Sequence, residues 1–337
     1  MSEVSEGARD HRGDWHPPER AGVPPIWKWP PAPLQVVKWL FGNPGYLFPW
    51  NVMFAGIAIV TWLYTQPELS RMAEFEIGWI AHIFVRNLIL LTVFYGGLQL
   101  WLYTFKGQGE KYKFHGKWWG EKKPRFLFGS QFWDNVFWSI ASGCTIWSAW
   151  EVVMMWSYAN GHVTMISWDS DPLHFALLLF VLIFWQTIHF YFIHRAIHWK
   201  PIYQNVHYLH HKNINIGPWT GLAMHPAEHL IYFSTVLLYW VVPSHPIHVM
   251  FSLQVVALMS GVGHIGFNEI VVKGKIAFPS DYFHYLHHRH FECNYGNTLF
   301  PADRWFGTFH DGSPEAQEKM VERIRAKRAA NKELTED

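Results

Sequence analysis

Residues 173–211 read LHFALLLFVLIFWQTIHFYFIHRAIHWKPIYQNVHYLHH, and the change of character inside this stretch decides the fold. From 173 to 193 the run is almost wholly apolar, close to the ~20 residues that cross a hydrocarbon core at about 1.5 Å per residue. Immediately beyond it stand His194, His198, His207, His210 and His211. A spanning helix therefore delivers a histidine-rich segment to one bilayer surface. Three further apolar segments, 46–65, 78–105 and 133–158, are also long enough to span. Two more, 230–243 and 246–267, are interrupted by Pro243 and Pro246 and read as a helical hairpin. The expected fold is an all-α, multi-pass membrane helical bundle of about four spanning helices plus this hairpin, carrying a cytoplasmic histidine-rich di-metal cap. A soluble all-α protein with buried core helices is the plainer alternative, and four segments of this length argue against it.

The composition supports lipid as part of the solvent. Of 337 residues, 50% are apolar, 16% are charged and 18% are aromatic. That excludes disorder. Lys plus Arg number 27 against 26 Asp plus Glu, a formal charge of +1, so no basic surface for nucleic acid is expected. Cys144 and Cys293, the two cysteines, build neither a disulfide scaffold nor a thiolate zinc site. The loop 106–130 holds seven Lys and Arg, whereas 66–77 holds Arg71 alone and 160–172 holds none. By the positive-inside rule the N-terminus, the 106–130 loop, the 194–229 segment and the tail after 268 are expected in the cytoplasm. The first long apolar run begins near Tyr46, too deep for a cleaved signal peptide. Seven prolines between Pro17 and Pro33 predict an extended arm rather than packed structure, followed by a short interfacial helix near 34–41. The expected organisation is 1–45 arm and interfacial segment, 46–189 transmembrane helices and basic loop, 190–312 histidine-box region with the membrane hairpin 230–267, and 313–337 charged tail.

Twenty-two histidines are the anomaly. Four boxes follow the fourth span: HxxxH at His194 and His198, HxxHH at His207, His210 and His211, HxxEH at His225, Glu228 and His229, and HxxHH at His284, His287 and His288. At this histidine frequency a random chain holds about 1.4 HxxxH pairs but only about 0.09 HxxHH triples. Two triples are not chance. Residues i, i+3 and i+4 share a helix face, so each HxxHH is expected to point three imidazoles at a common centre. His264 lies near the end of the last apolar run, at the same depth. The candidate metal ligands are therefore His194, His198, His207, His210, His211, His264, His284, His287 and His288. One ion takes four to six ligands, so nine imidazoles imply two ions. Imidazole suits iron, zinc, copper or nickel, and the ligand type leaves that choice open. His82, His115, His162, His174, His245, His248, His290 and His310 are expected to be ordinary, and His189 is ambiguous.

The order of HxxxH, HxxHH, a lone His264 and a second HxxHH resembles the fatty acid hydroxylase and sterol desaturase superfamily of integral-membrane di-iron enzymes. The likeness runs over about 190–312. It extends to Phe192-Ile193-His194-Arg195, to Met224-His225-Pro226-Ala227-Glu228, and to Asn294-Tyr295-Gly296 with Asp303-Arg304-Trp305-Phe306-Gly307-Thr308. The resemblance implies nine histidines holding two non-haem iron ions, O2 as co-substrate, and oxidation of an unactivated lipid C–H bond. It also implies lipid substrate taken from the bilayer and a separate electron-donor protein, cytochrome b5-like or ferredoxin-like, since no such domain is fused here. Where many relatives place an acid two turns before the first box, this chain has Gln186 and Thr187, so a carboxylate orienting a ligand is expected to be missing there. His225, Glu228, His229 and Asn294 are candidates for supporting a ligand or lining the pocket. His225 reads as a tenth ligand, a donor behind a ligand or a pocket residue, and Glu228 as a group holding an imidazole tautomer.

Two other functions fit parts of the sequence. His225, Glu228 and His229 form the H-x-x-E-H string of a zinc metallohydrolase with the glutamate as base, which leaves the nine box histidines idle. A haem-binding membrane electron carrier needs histidines on facing spans, whereas here they pair within one helix. A metal transporter needs ionisable residues along the spans, which offer little apart from Arg86 and Glu151. The reading carried forward is O2-dependent hydroxylation or desaturation of a lipid, sterol-like or fatty-acyl. The HPxE-like element favours sterol-like substrates. Spacing does not separate the two outcomes, which share the first hydrogen abstraction.

Overall fold

The computed structural model describes residues 7–336, except 121–122 and 274. Lys122, one of the seven basic residues counted in the 106–130 loop, lies outside the described residues. The N-terminal segment opens with a small antiparallel hairpin, β1 (Ala8–Arg9) and β2 (Trp15–His16). Helix α1 (Pro33–Phe41) buries none of its residues; Leu34, Val37 and Phe41 are exposed, as suits an interfacial helix. Then follow α2 (Trp50–Val60), continued by a π turn to Thr65, and α3 (Ile77–Gln99), continued likewise to Thr104. Helices α4 (Gln131–Trp138) and α5 (Thr145–Ala159) join through a π segment, and α6 (Pro172–Ile197) ends in the first histidine box.

Short elements carry the second and third boxes: α7 (Lys200–Ile202), a π turn over Tyr203–His207, α8 (Tyr208–His211) and α9 (Pro226–Tyr232). Helix α10 (Pro246–Gly263) returns through the bundle to His264. A second antiparallel hairpin, β3 (Glu269–Val272) with β4 (Lys275–Pro279), leads into α11 (Tyr282–His290), then α12 (Ala302–Trp305) and α13 (Pro314–Glu336).

By length and composition three helices are apolar enough to cross a membrane: Ile77–Thr104, Pro172–Ile197 and Pro246–Gly263, with Trp50–Thr65 a shorter apolar helix. This differs from the expected set in two places. The 133–158 segment is helical but carries Asp134, Asn135 and Glu151 fully inside the protein. Its polar groups are satisfied inside the protein. Arg86 of α3 pairs with Glu151, whose other oxygen accepts from Asn87 Nδ2 at 2.9 Å, and the Lys212 ammonium lies 2.8 Å from Asp134. The second difference concerns the expected hairpin. Its first arm is α9 followed by a 3-10 helix over Phe233–Trp240, while its second arm is the central helix of the bundle, 78% buried against 28% for the other two candidate spans. Pro246 opens α10, where its missing N–H costs nothing.

The main core gathers around α10, with Phe54, Leu91, Trp147, Leu182, Phe233 and Phe251 among its buried side chains. A tight contact seats the third box on it: a Cβ at Gly221 would lie 2.5 Å from the Ser260 carbonyl carbon, so only glycine lets the 218–222 turn approach α10 so closely. The N-terminal segment is packed, not extended throughout. Trp15 is buried with Tyr112, Phe114, Ile216 and Tyr285.

Candidate metal centre

Spacing delivers the imidazoles, and helix phase sorts them. His194, His198, His207, His211 and His287 bring one ring nitrogen each within 4.8 Å of one another, and His210, His264, His284 and His288 form a second such group. All nine candidate ligands are brought together. The HxxHH boxes do not act as single tridentate faces, however. His207 and His211 join the first group while His210 joins the second; His284 and His288 join the second while His287 joins the first. Residues i and i+4 lie about 40° apart around a helix, whereas i+3 lies about 60° to the other side, so each box splits two to one. The two boxes exchange their middle histidines.

The rings are fixed from behind. His194 Nδ1 donates to the Tyr295 carbonyl at 2.6 Å, His287 Nδ1 to Cys293 at 2.6 Å, His264 Nδ1 to Ser260 at 2.6 Å and His288 Nδ1 to Asn213 at 3.1 Å. His207 Nδ1 is 2.8 Å from Glu228 Oε1. A carbonyl can only accept, so His194, His287, His264 and His288 carry the proton on Nδ1 and a lone pair on Nε2. Yet His264 Nε2 lies 2.9 Å from His288 Nε2, and His194 Nε2 lies 3.2 Å from His207 Nε2. His287 Nε2 is also within 3.1 Å of His198 and 3.0 Å of His211. Two lone pairs at such distances repel unless a cation sits between them. Metal–imidazole bonds of about 2.0–2.1 Å give ligand edges of about 2.9 Å at right angles and about 3.4 Å in a tetrahedron. The observed separations fall in that interval, so the residues fit metal in both groups.

Electrostatics agree with neutral ligands. Burial, reinforced by neighbouring imidazoles, holds His198, His207, His210, His211, His284, His287 and His288 well below the usual histidine value, and burial takes His264 to about 4. Burial pushes the Glu228 carboxyl well above its usual range, and its Oε2 has no partner among the described residues.

A cavity of about 400 Å³ reaches the centre. His194, His207, His210, His264 and His284 form one end, and Phe190, Ile193, Met224, Ile231, Val255 and Met259 line its apolar walls.

The remaining candidates separate. Glu228 backs a ligand ring and lines the cavity. His225 caps α9, its Nδ1 accepting from Ala227 N at 3.2 Å, and His229 Nδ1 meets Ser142 Oγ at 2.8 Å. These residues form no metal group among the described residues, and Glu228 faces His207 instead. Asn294 lines no part of the cavity; its amide donates to the Phe283 and His310 carbonyls and clamps the loop. His189 lines the cavity and meets Ser234 Oγ at 3.0 Å. Two supporting acids escaped the sequence reading. Asp281 caps α11, accepting from His284 N at 3.0 Å. Asp303 accepts from Tyr295 N at 2.9 Å, Gly296 N at 2.8 Å and Thr308 Oγ1 at 2.6 Å, which turns the Tyr295 carbonyl toward His194. Their residues stand in or beside the quoted motifs, but the roles need the fold.

Comparison with known proteins adds an independent line. Residues 179–308 match the family described as fatty acid hydroxylase. A Delta(7)-sterol-C5(6)-desaturase of Nicotiana tabacum is 27% identical over 172 residues, 49% of this chain and 60% of the relative. A Delta(7)-sterol 5(6)-desaturase of Gibberella zeae is 30% identical over 128 residues, 37% of this chain and 39% of the relative. A very-long-chain aldehyde decarbonylase of Arabidopsis thaliana is 29% identical over 147 residues, 40% of this chain and 23% of the relative. The chain thus covers less than two thirds of the length of these relatives. No solved structure matches. The matched stretch, 179–308, contains all nine clustered histidines and is similar to the fatty acid hydroxylase family.

Proposed function

We propose that the protein is an oxidoreductase that hydroxylates or desaturates a lipid C–H bond with O2 at a non-haem di-iron centre held by the nine clustered histidines. The observation that carries this reading is the convergence of nine ring nitrogens in two groups, in one of which His264 and His288 face Nε2 lone pairs across 2.9 Å while their Nδ1 protons are spent on carbonyls. The relatives, desaturases and a decarbonylase by name, support lipid chemistry as the class. Two irons bound there supply redox chemistry that couples O2 reduction to removal of hydrogen from an unactivated C–H bond.

The chain's own residues do the rest. Phe190, Ile193 and Met259 exclude water and admit a hydrocarbon. Tyr295, Cys293, Ser260 and Asn213 fix ring orientation through their carbonyls, and Glu228 holds the His207 tautomer. Electrons come from a separate soluble one-electron carrier on the cytoplasmic side, where both termini lie.

Protein purified in detergent is expected to hold two metal ions per chain by elemental analysis, iron in the active form. One ion or none in well-folded protein overturns the di-metal reading. Untargeted mass spectrometry of lipid extracts, compared between cells with and without the chain, is expected to show a lost oxygen or double bond, and product formed without O2 overturns the oxidase reading.

A further inference from the structure

The cavity follows one face of α6. Ile183, Gln186, Thr187, Phe190, Ile193, His194 and Ile197 line it at helical spacing, so it extends from the imidazoles toward the membrane interior. Gln186 stands eight residues before His194, about 12 Å along the helix axis. It is 7% exposed and lines the cavity. Its Nε2 reaches the Ser252 carbonyl only at 3.4 Å, and its Oε1 accepts from no group among the described residues. An amide oxygen left over beside the cavity is available to a ligand donor there.

A second amide repeats the pattern. Asn51 also lines the cavity; its Nδ2 donates to the Tyr46 carbonyl at 2.6 Å, which leaves Oδ1 free. Tyr46 stacks on Phe184 with ring centroids 5.3 Å apart, so the 46–51 segment lies beside the turn of α6 that carries Gln186. The neighbouring hydroxyl of Thr187 is already engaged. Thr187 Oγ1 donates to Ile183 O at 2.8 Å and accepts from Asn297 Nδ2 at 3.3 Å. Both unspent atoms are therefore amide oxygens, which accept. A ligand group that meets them must donate, and an ester or aldehyde carbonyl would set acceptor against acceptor.

We infer that Gln186 and Asn51 form a hydroxyl-binding subsite at the membrane end of the cavity, which selects lipids bearing a hydroxyl about 12 Å from the carbon oxidised. The subsite rests on the reading of the cavity as the lipid site proposed above. It fixes which carbon reaches the imidazole end by anchoring the far end of the molecule.

Equilibrium binding to the full chain in detergent, without O2 or an electron donor, tests it. The probes are hexadecan-1-ol, hexadecanal and hexadecane, and for a rigid skeleton cholestanol and cholestane. In at least one skeleton the alcohol is expected to bind roughly 3- to 10-fold more tightly than the hydrocarbon, the worth of one net hydrogen bond, with hexadecanal following hexadecane. Gln186→Leu is expected to erase that preference while hydrocarbon affinity is kept or improved, and Asn51→Leu to weaken it. Metal content at the wild-type level shows that each variant folds. Equal binding of alcohol and hydrocarbon in both skeletons overturns the subsite alone. Gln186→Leu lowering every affinity alike also overturns it, and assigns the amide to packing of α6 on α10. Failure of every probe to bind overturns the lipid reading of the cavity itself.

Discussion

Glu228→Gln keeps an oxygen that accepts from His207 Nδ1 but removes the charge that a bound metal would draw on through the ring. Losses of such supporting groups typically cost about 10- to 100-fold in affinity or activity, and a drop in that range is expected in chelator competition. His210→Ala, His264→Ala and His287→Ala each open a coordination position and are expected to abolish turnover, although His287 belongs to one group and the other two to the second. His162→Ala and His174→Ala, which touch neither group, are expected to keep most activity. Acid sensitivity follows from burial. His264 has its value lowered from 6.5 to about 4. Between those values the unfolded chain binds the proton and the folded one does not, so this stability is present above about pH 6.5 and is lost as pH falls toward 4. Seven more clustered histidines are shifted the same way, whereas Glu228 is shifted upward and opposes them. Thermal melts of metal-free protein are expected to fall steeply over that window; a melting temperature independent of pH there would count against buried neutral imidazoles. The nine histidines that cluster were legible because HxxHH is rare by chance. Their division into two groups was not, because it depends on the angular phase of i+3 against i+4. The carbonyls behind the rings were invisible, since every residue carries one and tertiary structure selects those that serve.

At the scale of elements, the ligand helices are short and need bracing. Helix α8 has four residues and α11 nine, too few to be stable alone. The brace on α11 comes from the N-terminal hairpin. Asp14 pairs with Arg289 at 2.7 Å, His16 Nδ1 meets Tyr282 Oη at 2.8 Å, and the Trp15 ring packs edge-on against Tyr112 at 5.6 Å. The proline count predicted an unpacked arm, but Trp15 before the prolines and Trp27 among them both pack, and isolated tryptophans give no periodic signal. Trp15→Ala removes a buried aromatic and is expected to cost about 3–5 kcal/mol. Melting temperature and retained metal should fall together, although no imidazole is altered; unchanged metal retention would show that α11 holds its ligands without the arm. The 133–158 helix shows the same dependence on neighbours. Length and apolarity identified a helix, but whether it meets lipid or protein depends on its neighbours, and Asp134 and Glu151 are stable because Lys212 and Arg86 meet them inside.

Across the whole molecule the connecting segments segregate to two ends. Asn160 Nδ2 donates to the Ala73 carbonyl at 3.0 Å and Ile166 N to Ser244 O at 3.1 Å, so the 66–76, 160–171 and 241–245 segments share one end. At the other, Trp15 N donates to Phe114 O at 2.8 Å, Phe114 N to Gly266 O at 2.9 Å and Asn215 Nδ2 to Lys117 O at 2.8 Å, which joins the N-terminal hairpin, the basic loop and the histidine boxes. The charge contrast between loops therefore assigns both ends at once, and the basic end is expected in the cytoplasm. Impermeant thiol labelling in intact cells checks the assignment against a low background, because Cys144 and Cys293 are both buried. The probe position in the basic loop has to be chosen from the structure: Lys113 is 2% exposed, with its ammonium donating to the Lys117 carbonyl at 2.8 Å, whereas Lys117 presents its side chain to solvent. Lys117→Cys is expected to react only after permeabilisation, and Ser170→Cys, exposed at the opposite end, to react in intact cells. Labelling of Lys117→Cys from outside would invert the molecule, and with it would place the histidine cluster on the side away from a cytoplasmic electron donor.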